Sequence, residues 1–165
     1  MNIGPYSFEE YCDLVKGFHG YPAPGVLIGG YMVAAAQRQL PPGILYDAVC
    51  ETRSCLPDAI QLLTLCSVGN GWLRVLHFGR YALSLYDKYS GAGWRIFLDP
   101  EKLEAWPEIK TWFFKLKPKK EQDTPQLFRE IEAAGDTICS LEPIQMQPQF
   151  LVRRSTGTIV LCPTC

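Results

Sequence analysis

The sequence predicts an α+β fold in which N-terminal helices pack on a mostly antiparallel sheet. Three observations carry this. Apolar residues recur at helical spacing through the N-terminal part of the chain, and consecutive short strand-like runs fill the middle. In a chain of 165 residues, 47% hydrophobic residues with 8 Phe, 8 Tyr and 4 Trp suffice to build one packed core.

Ser7 followed by Glu10 forms a capping-box pattern, and Phe8, Tyr11, Leu14, Val15 and Phe18 then repeat along one helical face, predicting a helix from Phe8 to Gly17. Pro22, Pro24 and Gly25 interrupt the chain. A second helix follows, and its small residues Gly25, Gly29, Gly30 and Ala34 to Ala36 permit close backbone packing. Pro41-Pro42-Gly43 ends it. Ile44 to Thr52 reads as a strand, and Leu56 to Cys66 as a short helix with Pro57 in its first turn, which leaves Cys55 at a strand-to-helix junction. Trp72 to Phe78, Tyr81 to Tyr86 and Trp94 to Leu98 are strand candidates that favour an antiparallel meander. Pro100 to Lys115 is helical with a break at Pro107. Thr124 caps a helix from Pro125 to Ala134 that stops at Gly135, and further strands are predicted over Thr137 to Met146, Phe150 to Arg154 and Thr158 to Leu161. The expected organisation is a main domain over residues 1–150 and a terminal strand and tail over 151–165.

Composition narrows the function. A net charge of −1 creates no field that would favour nucleic acid or an anionic membrane surface. The apolar run Val26 to Ala36 is too short to span a bilayer, and Met1 to Tyr6 lacks the basic start and apolar core of an export signal, so a cytoplasmic protein is expected. Seven cysteines form an odd set that suits a disulfide framework poorly. Cys12, Cys50 and Cys139 lie among apolar neighbours and are expected to be buried.

Two histidines are the imidazole sources. His19 lies in a bend rich in proline and glycine, where it can be held toward a cleft or simply bond a nearby carbonyl. His77 lies in a strand candidate and reads as structural or surface. Cys55 at a helix start is expected to have its thiolate stabilised by unpaired amides, which suits a nucleophile or a metal ligand. Asp58, in the first turn of the same helix, either stabilises that helix or serves the site. Glu51 either reaches the same pocket or faces water. Cys162-Pro163-Thr164-Cys165 has the spacing of half a zinc site, and Lys117-Pro118-Lys119-Lys120 reads as a solvated connector.

Several ordered segments together resemble the formylmethanofuran dehydrogenase E-subunit (FmdE) family. They are Phe18-His19-Gly20 with Pro24-Gly25, Glu51 with Ser54-Cys55 and Asp58 to Gln61, Cys66 to Leu73, and Phe78 to Ala82. The resemblance implies an α+β fold in which the His-Gly bend and the Cys-x-x-Asp helix start share one pocket, often with a divalent metal such as zinc, and in many members a C-terminal zinc ribbon. Carried onto this chain it makes His19 and Cys55 metal-site positions, places Asp58 and Glu51 nearby, and makes Cys162 and Cys165 the first half of a ribbon. This sequence departs from the family pattern at Tyr21, where a second histidine is expected, and at Ala23, where a cysteine is expected. Both changes remove a ligand; Ala23 opens space where a sulfur would sit and the Tyr21 phenol can stack or hydrogen-bond, which makes an organic ligand easier to accommodate.

The leading expectation is an accessory metal-binding protein associated with molybdenum or tungsten oxidoreductase subunits, acting as a homodimer. One alternative is an enzyme or sulfur carrier with Cys55 as nucleophile, His19 as base and Asp58 as its orienter. Another is a pocket for a small organic or tetrapyrrole ligand, walled by Tyr21, Trp72, Phe78, Tyr81 and Trp94.

Overall fold

The computed structural model describes residues 1–151, 157 and 160–164. Helix α1 spans Phe8–His19 and begins in the predicted capping box, Ser7 Oγ accepting the Glu10 amide at 3.2 Å while Glu10 Oε2 accepts the Ser7 amide at 2.8 Å. It runs two residues past the expected end because Gly20, at φ 91°, takes the left-handed cap position and returns its amide to the Lys16 carbonyl.

Helix α2, Pro24–Gln39, has an unbroken buried run from Gly25 to Ala36 and lies against strands β3 (Ala82–Asp87) and β4 (Ala92–Leu98). A helix buried on all sides carries no polar stripe, hence its uniformly apolar sequence. Its glycines are points of contact: a Cβ on Gly29 would stand 2.8 Å from Ala59 Cβ, and one on Gly30 2.5 Å from the Tyr11 ring. Close approach thus requires the small residues that the sequence singles out.

The sheet has five strands in the order β2-β1-β3-β4-β5, where β1 is Tyr46–Cys50, β2 is Leu73–Val75 and β5 is Cys139–Gln145. Pairing of β1 with β3, β3 with β4 and β4 with β5 is antiparallel. The expected meander fails at one strand. Helix α3, Leu56–Leu63, carries the chain back across the sheet, so β2 runs parallel to β1 with Ala48 opposite Leu73, and β3 takes the other edge of β1. Only three of the seven residues from Trp72 to Phe78 pair as strand.

The helical stretch from Pro100 breaks as expected, into a 3₁₀ turn at Pro100–Leu103 and helix α4 at Pro107–Phe113. Helix α5 spans Thr124–Ala134, capped one residue earlier than expected by the Asp123 carboxylate on the Gln126 amide, and ends at Gly135. Phe150 closes a 3₁₀ turn, Pro148–Phe150, instead of opening a strand. Residues 152–156, 158, 159 and Cys165 lie outside the described residues, and with them most of the two terminal strand predictions and half of the Cys-x-x-Cys pair. Cys50 and Cys139 are buried as expected, whereas Cys12 is only half-buried. Among the described residues no helix is long and apolar enough to cross a membrane.

Candidate functional site

The chain leaves β1 at Cys50 and reaches α3 through a sharp turn centred on Cys55. There φ is 58° and ψ −48°, and the Leu56 amide donates to the Ser54 carbonyl at 2.6 Å, which closes a γ-turn of the strained, positive-φ hand. A side chain in this conformation costs roughly 1–3 kcal/mol and persists only where the surroundings hold it. The surroundings here are α2: a Cβ on Gly25 would stand 2.7 Å from Cys55 Cβ and 3.0 Å from its Sγ.

Expectation and structure part over the Cys55 thiol. The amides of Asp58 and Ala59 go to the Cys55 carbonyl at 3.0 and 3.4 Å, and no side-chain cap bond is made, so the sulfur does not gain the helix-start amides. Burial pushes the thiol up from its ordinary value, the Asp58 carboxylate pushes it further, and Lys119 opposes both. It is therefore mainly protonated at neutral pH, which disfavours the activated nucleophile.

His19 and Asp58 do meet. The Nδ1 of His19 lies 2.6 Å from Asp58 Oδ2, joining the last residue of α1 to the first turn of α3. A carboxylate on Nδ1 fixes the ring and its tautomer and leaves Nε2 for other use. The Tyr21 ring lies 5.2 Å from the imidazole centroid and is half exposed.

Beside this group opens a cavity of about 670 Å³. The bend from Tyr21 to Gly25 lines it together with Cys55, and Trp112, Leu127 and Phe128 supply an apolar wall. Tyr81 lies beneath, its hydroxyl donating to the Gly25 carbonyl and its ring packed edge-on against Trp112 and Phe113. Lys115, Lys117 and Lys119 stand at the cavity with Gln122 and Thr124. The expected solvated connector thus borders the site. The lysines reach it from a connector without regular extended backbone, Lys115 at φ 54° and Lys119 opening a 3₁₀ turn, Lys119–Glu121, a geometry that leaves no periodic signal in the sequence.

Other expected members stand apart. Glu51 neither faces water nor lines the cavity; it is buried and its two oxygens take Arg95 Nε and Nη2 at 2.5 and 2.9 Å. Trp72 borders a different cavity beside Lys88, Phe78 is exposed, and Trp94 lines neither cavity, so Trp112 and Phe128 supply the aromatic wall that Trp72, Phe78 and Trp94 were expected to form. His77 is a surface residue, as read from sequence. Cys162 is exposed, and its sulfur accepts the Thr164 amide at 3.4 Å.

A resident metal fits this donor set poorly. Zinc takes three or four protein ligands, yet Glu51 is committed to Arg95, and positions 21 and 23 carry tyrosine and alanine. Among the described residues, no three His, Cys, Asp or Glu side chains are gathered to hold a metal ion.

The family described as "FmdE, Molybdenum formylmethanofuran dehydrogenase operon" matches residues 18–146. The chain belongs to the FmdE family. A solved structure of a tungsten formylmethanofuran dehydrogenase FmdE-like protein from Syntrophus aciditrophicus is 57% identical in sequence, with a TM-score of 0.89 over 97% of this chain and 84% of that one. The α+β architecture is therefore that of an FmdE-like protein. A probable S-adenosyl-L-methionine-binding protein from Archaeoglobus fulgidus is 30% identical over 101 residues, which cover 55% of this FmdE chain but only 27% of that relative.

Proposed function

We propose that the chain is an accessory protein of molybdenum or tungsten formylmethanofuran dehydrogenase systems that works by binding a small ligand in the cavity beside Cys55. The observation that carries this is the cavity itself. It has the size of a small-molecule site, and one wall is the Tyr21–Gly25 bend that departs from the family pattern. Family membership supports the connection to the enzyme system. The ligand suggested by the name of the Archaeoglobus relative, S-adenosyl-L-methionine, carries a sulfonium cation, and three lysines at the cavity oppose that charge.

Protection of Cys55 from alkylation, followed by peptide mass spectrometry, tests the reading. Occupancy should slow labelling of Cys55 and leave exposed Cys162 unchanged. If no aromatic or anionic small molecule at millimolar concentration protects Cys55, the cavity is not a binding site.

A second reading is a divalent ion held at His19 Nε2 and Cys55 with donors from another copy in a homodimer. The Asp58–His19 bond favours it, since metal-binding imidazoles commonly keep such a carboxylate behind them. Metal analysis of purified dimer would return about one zinc per site in the parent and none in His19→Ala. Metal-free parent protein removes this reading.

A further inference from the structure

We infer that the cavity beside Cys55 selects an organic anion, its carboxylate or phosphate held by Lys115, Lys117 and Lys119 and its flat apolar part laid against Trp112 and Phe128. This rests on the ligand-binding reading above and names the class of ligand.

Charge gives the first argument. Three of the residues bordering the cavity are lysines and none is Asp or Glu, in a chain whose net charge is −1. Among the described residues, Lys115 and Lys119 pair with no carboxylate, whereas Lys117 forms an ion pair with Glu108 at 3.6 Å. Lys119 Nζ instead sits 5.3 Å from the centre of the Tyr21 ring, a contact that keeps its charge over the mouth without neutralising it. Four lysines against Glu121 and Asp123 leave the connector over residues 115–123 net positive, a field that favours an anion.

The apolar wall gives the second. Trp112, Leu127 and Phe128 come from α4 and α5, so they are fixed by helix packing, and an aromatic ring resting there removes apolar surface from water. The lysines sit on the connector between those helices. A ligand with charge at one end and a ring at the other can satisfy both parts at once, whereas inorganic phosphate meets only the rim and a neutral arene only the wall. The Cys55 thiol, which also lines the cavity, then reports occupancy without taking part in binding.

Four compounds separate these possibilities: 1-naphthyl phosphate, 1-naphthoate, 1-naphthalenemethanol and inorganic phosphate. Each is titrated calorimetrically into the full chain at low salt, with protection of Cys55 from alkylation as the report of position. The two naphthyl anions should bind about tenfold or more tightly than the alcohol and protect Cys55; the tighter of the two tells phosphate from carboxylate. Inorganic phosphate should bind weakly and protect little. The double variant Lys115→Gln/Lys119→Gln, at two exposed positions, should lose about tenfold for the anions and less than twofold for the alcohol, and added salt should weaken the anions alone. Equal protection by alcohol and anions would overturn the anion inference while leaving the cavity as a binding site. Protection by none of the four would remove both.

Discussion

Gly25→Ala places one methyl group where α2 meets the Cys55 turn, and the structure sets its cost. The new carbon would stand 2.7 Å from Cys55 Cβ and 2.9 Å from the Tyr81 hydroxyl, closer than side-chain carbons tolerate. Cys55 Cβ is tied to a strained backbone and cannot swing aside, and Tyr81 is held on the Gly25 carbonyl. Overpacking of this kind costs about 1–3 kcal/mol. Against it stands the gain from replacing glycine in a helix, at most about 1 kcal/mol. The net expectation is a loss of about 1 kcal/mol or somewhat more, or roughly 2–4 °C in Tm for a chain of this size. Gly17, within α1, supplies the control: a Cβ there meets nothing within 4 Å, so Gly17→Ala keeps the helical gain and should raise Tm by roughly 1–4 °C. Thermal unfolding of the two variants by circular dichroism, with the alkylation rate of Cys55 beside it, makes the comparison. Equal stabilisation by both, with Cys55 labelling unaltered, would refute the claim that Gly25 exists to admit Cys55.

Alkylation of Cys55 across pH should give a midpoint above that of an ordinary thiol; Asp58→Asn should lower it by removing an anion and Lys119→Gln should raise it by removing a cation, and the reverse order would be incompatible with the charges around the sulfur. Glu51→Ala should destabilise by about 3 kcal/mol in urea unfolding, because Arg95 keeps Glu142 but loses its buried partner; a change below about 1 kcal/mol would show that Arg95 reaches water easily. The Ser7 amide and hydroxyl hold Glu10 below the ordinary carboxylate value, so its support of α1 is complete above about pH 4.5 and is lost as pH falls through the lowered value. The protection factors of amides at the start of α1, each referred to the intrinsic exchange rate at the same pH, should fall in acid in the parent and stay constant in Glu10→Gln.

Elements whose signals are local were legible in the sequence. The capping box, the proline starts and the glycine at position 135 mark helix ends that depend only on neighbouring residues. The edge position of β2 was not, since parallel pairing depends on where α3 deposits the chain, and Leu73-Arg74-Val75 would suit an antiparallel neighbour as well. At the site, sequence located the residues that approach from the N-terminal side. It missed the far wall, because Trp112 and Phe128 reach the cavity only once α4 and α5 have packed, and aromatic residues nearer in sequence looked equally suitable. The Cys55 thiol departs from expectation for a related reason: a helix start offers amides only if the preceding carbonyls leave them free, and here they do not.

The γ-turn at Cys55 also bears on which sequences the site can tolerate. Glycine accepts a positive φ without a steric penalty, so Cys55→Gly would relieve the turn by roughly 1–3 kcal/mol against the lost packing of one half-buried thiol and about 0.5–1 kcal/mol of extra backbone entropy. Serine and alanine would inherit the strain and return nothing. A mutational survey scored on folding alone would therefore rank glycine at position 55 at or above the residue that is there. If cysteine nevertheless outperforms it in any assay of the working protein, the difference measures what the thiol does apart from holding the fold together.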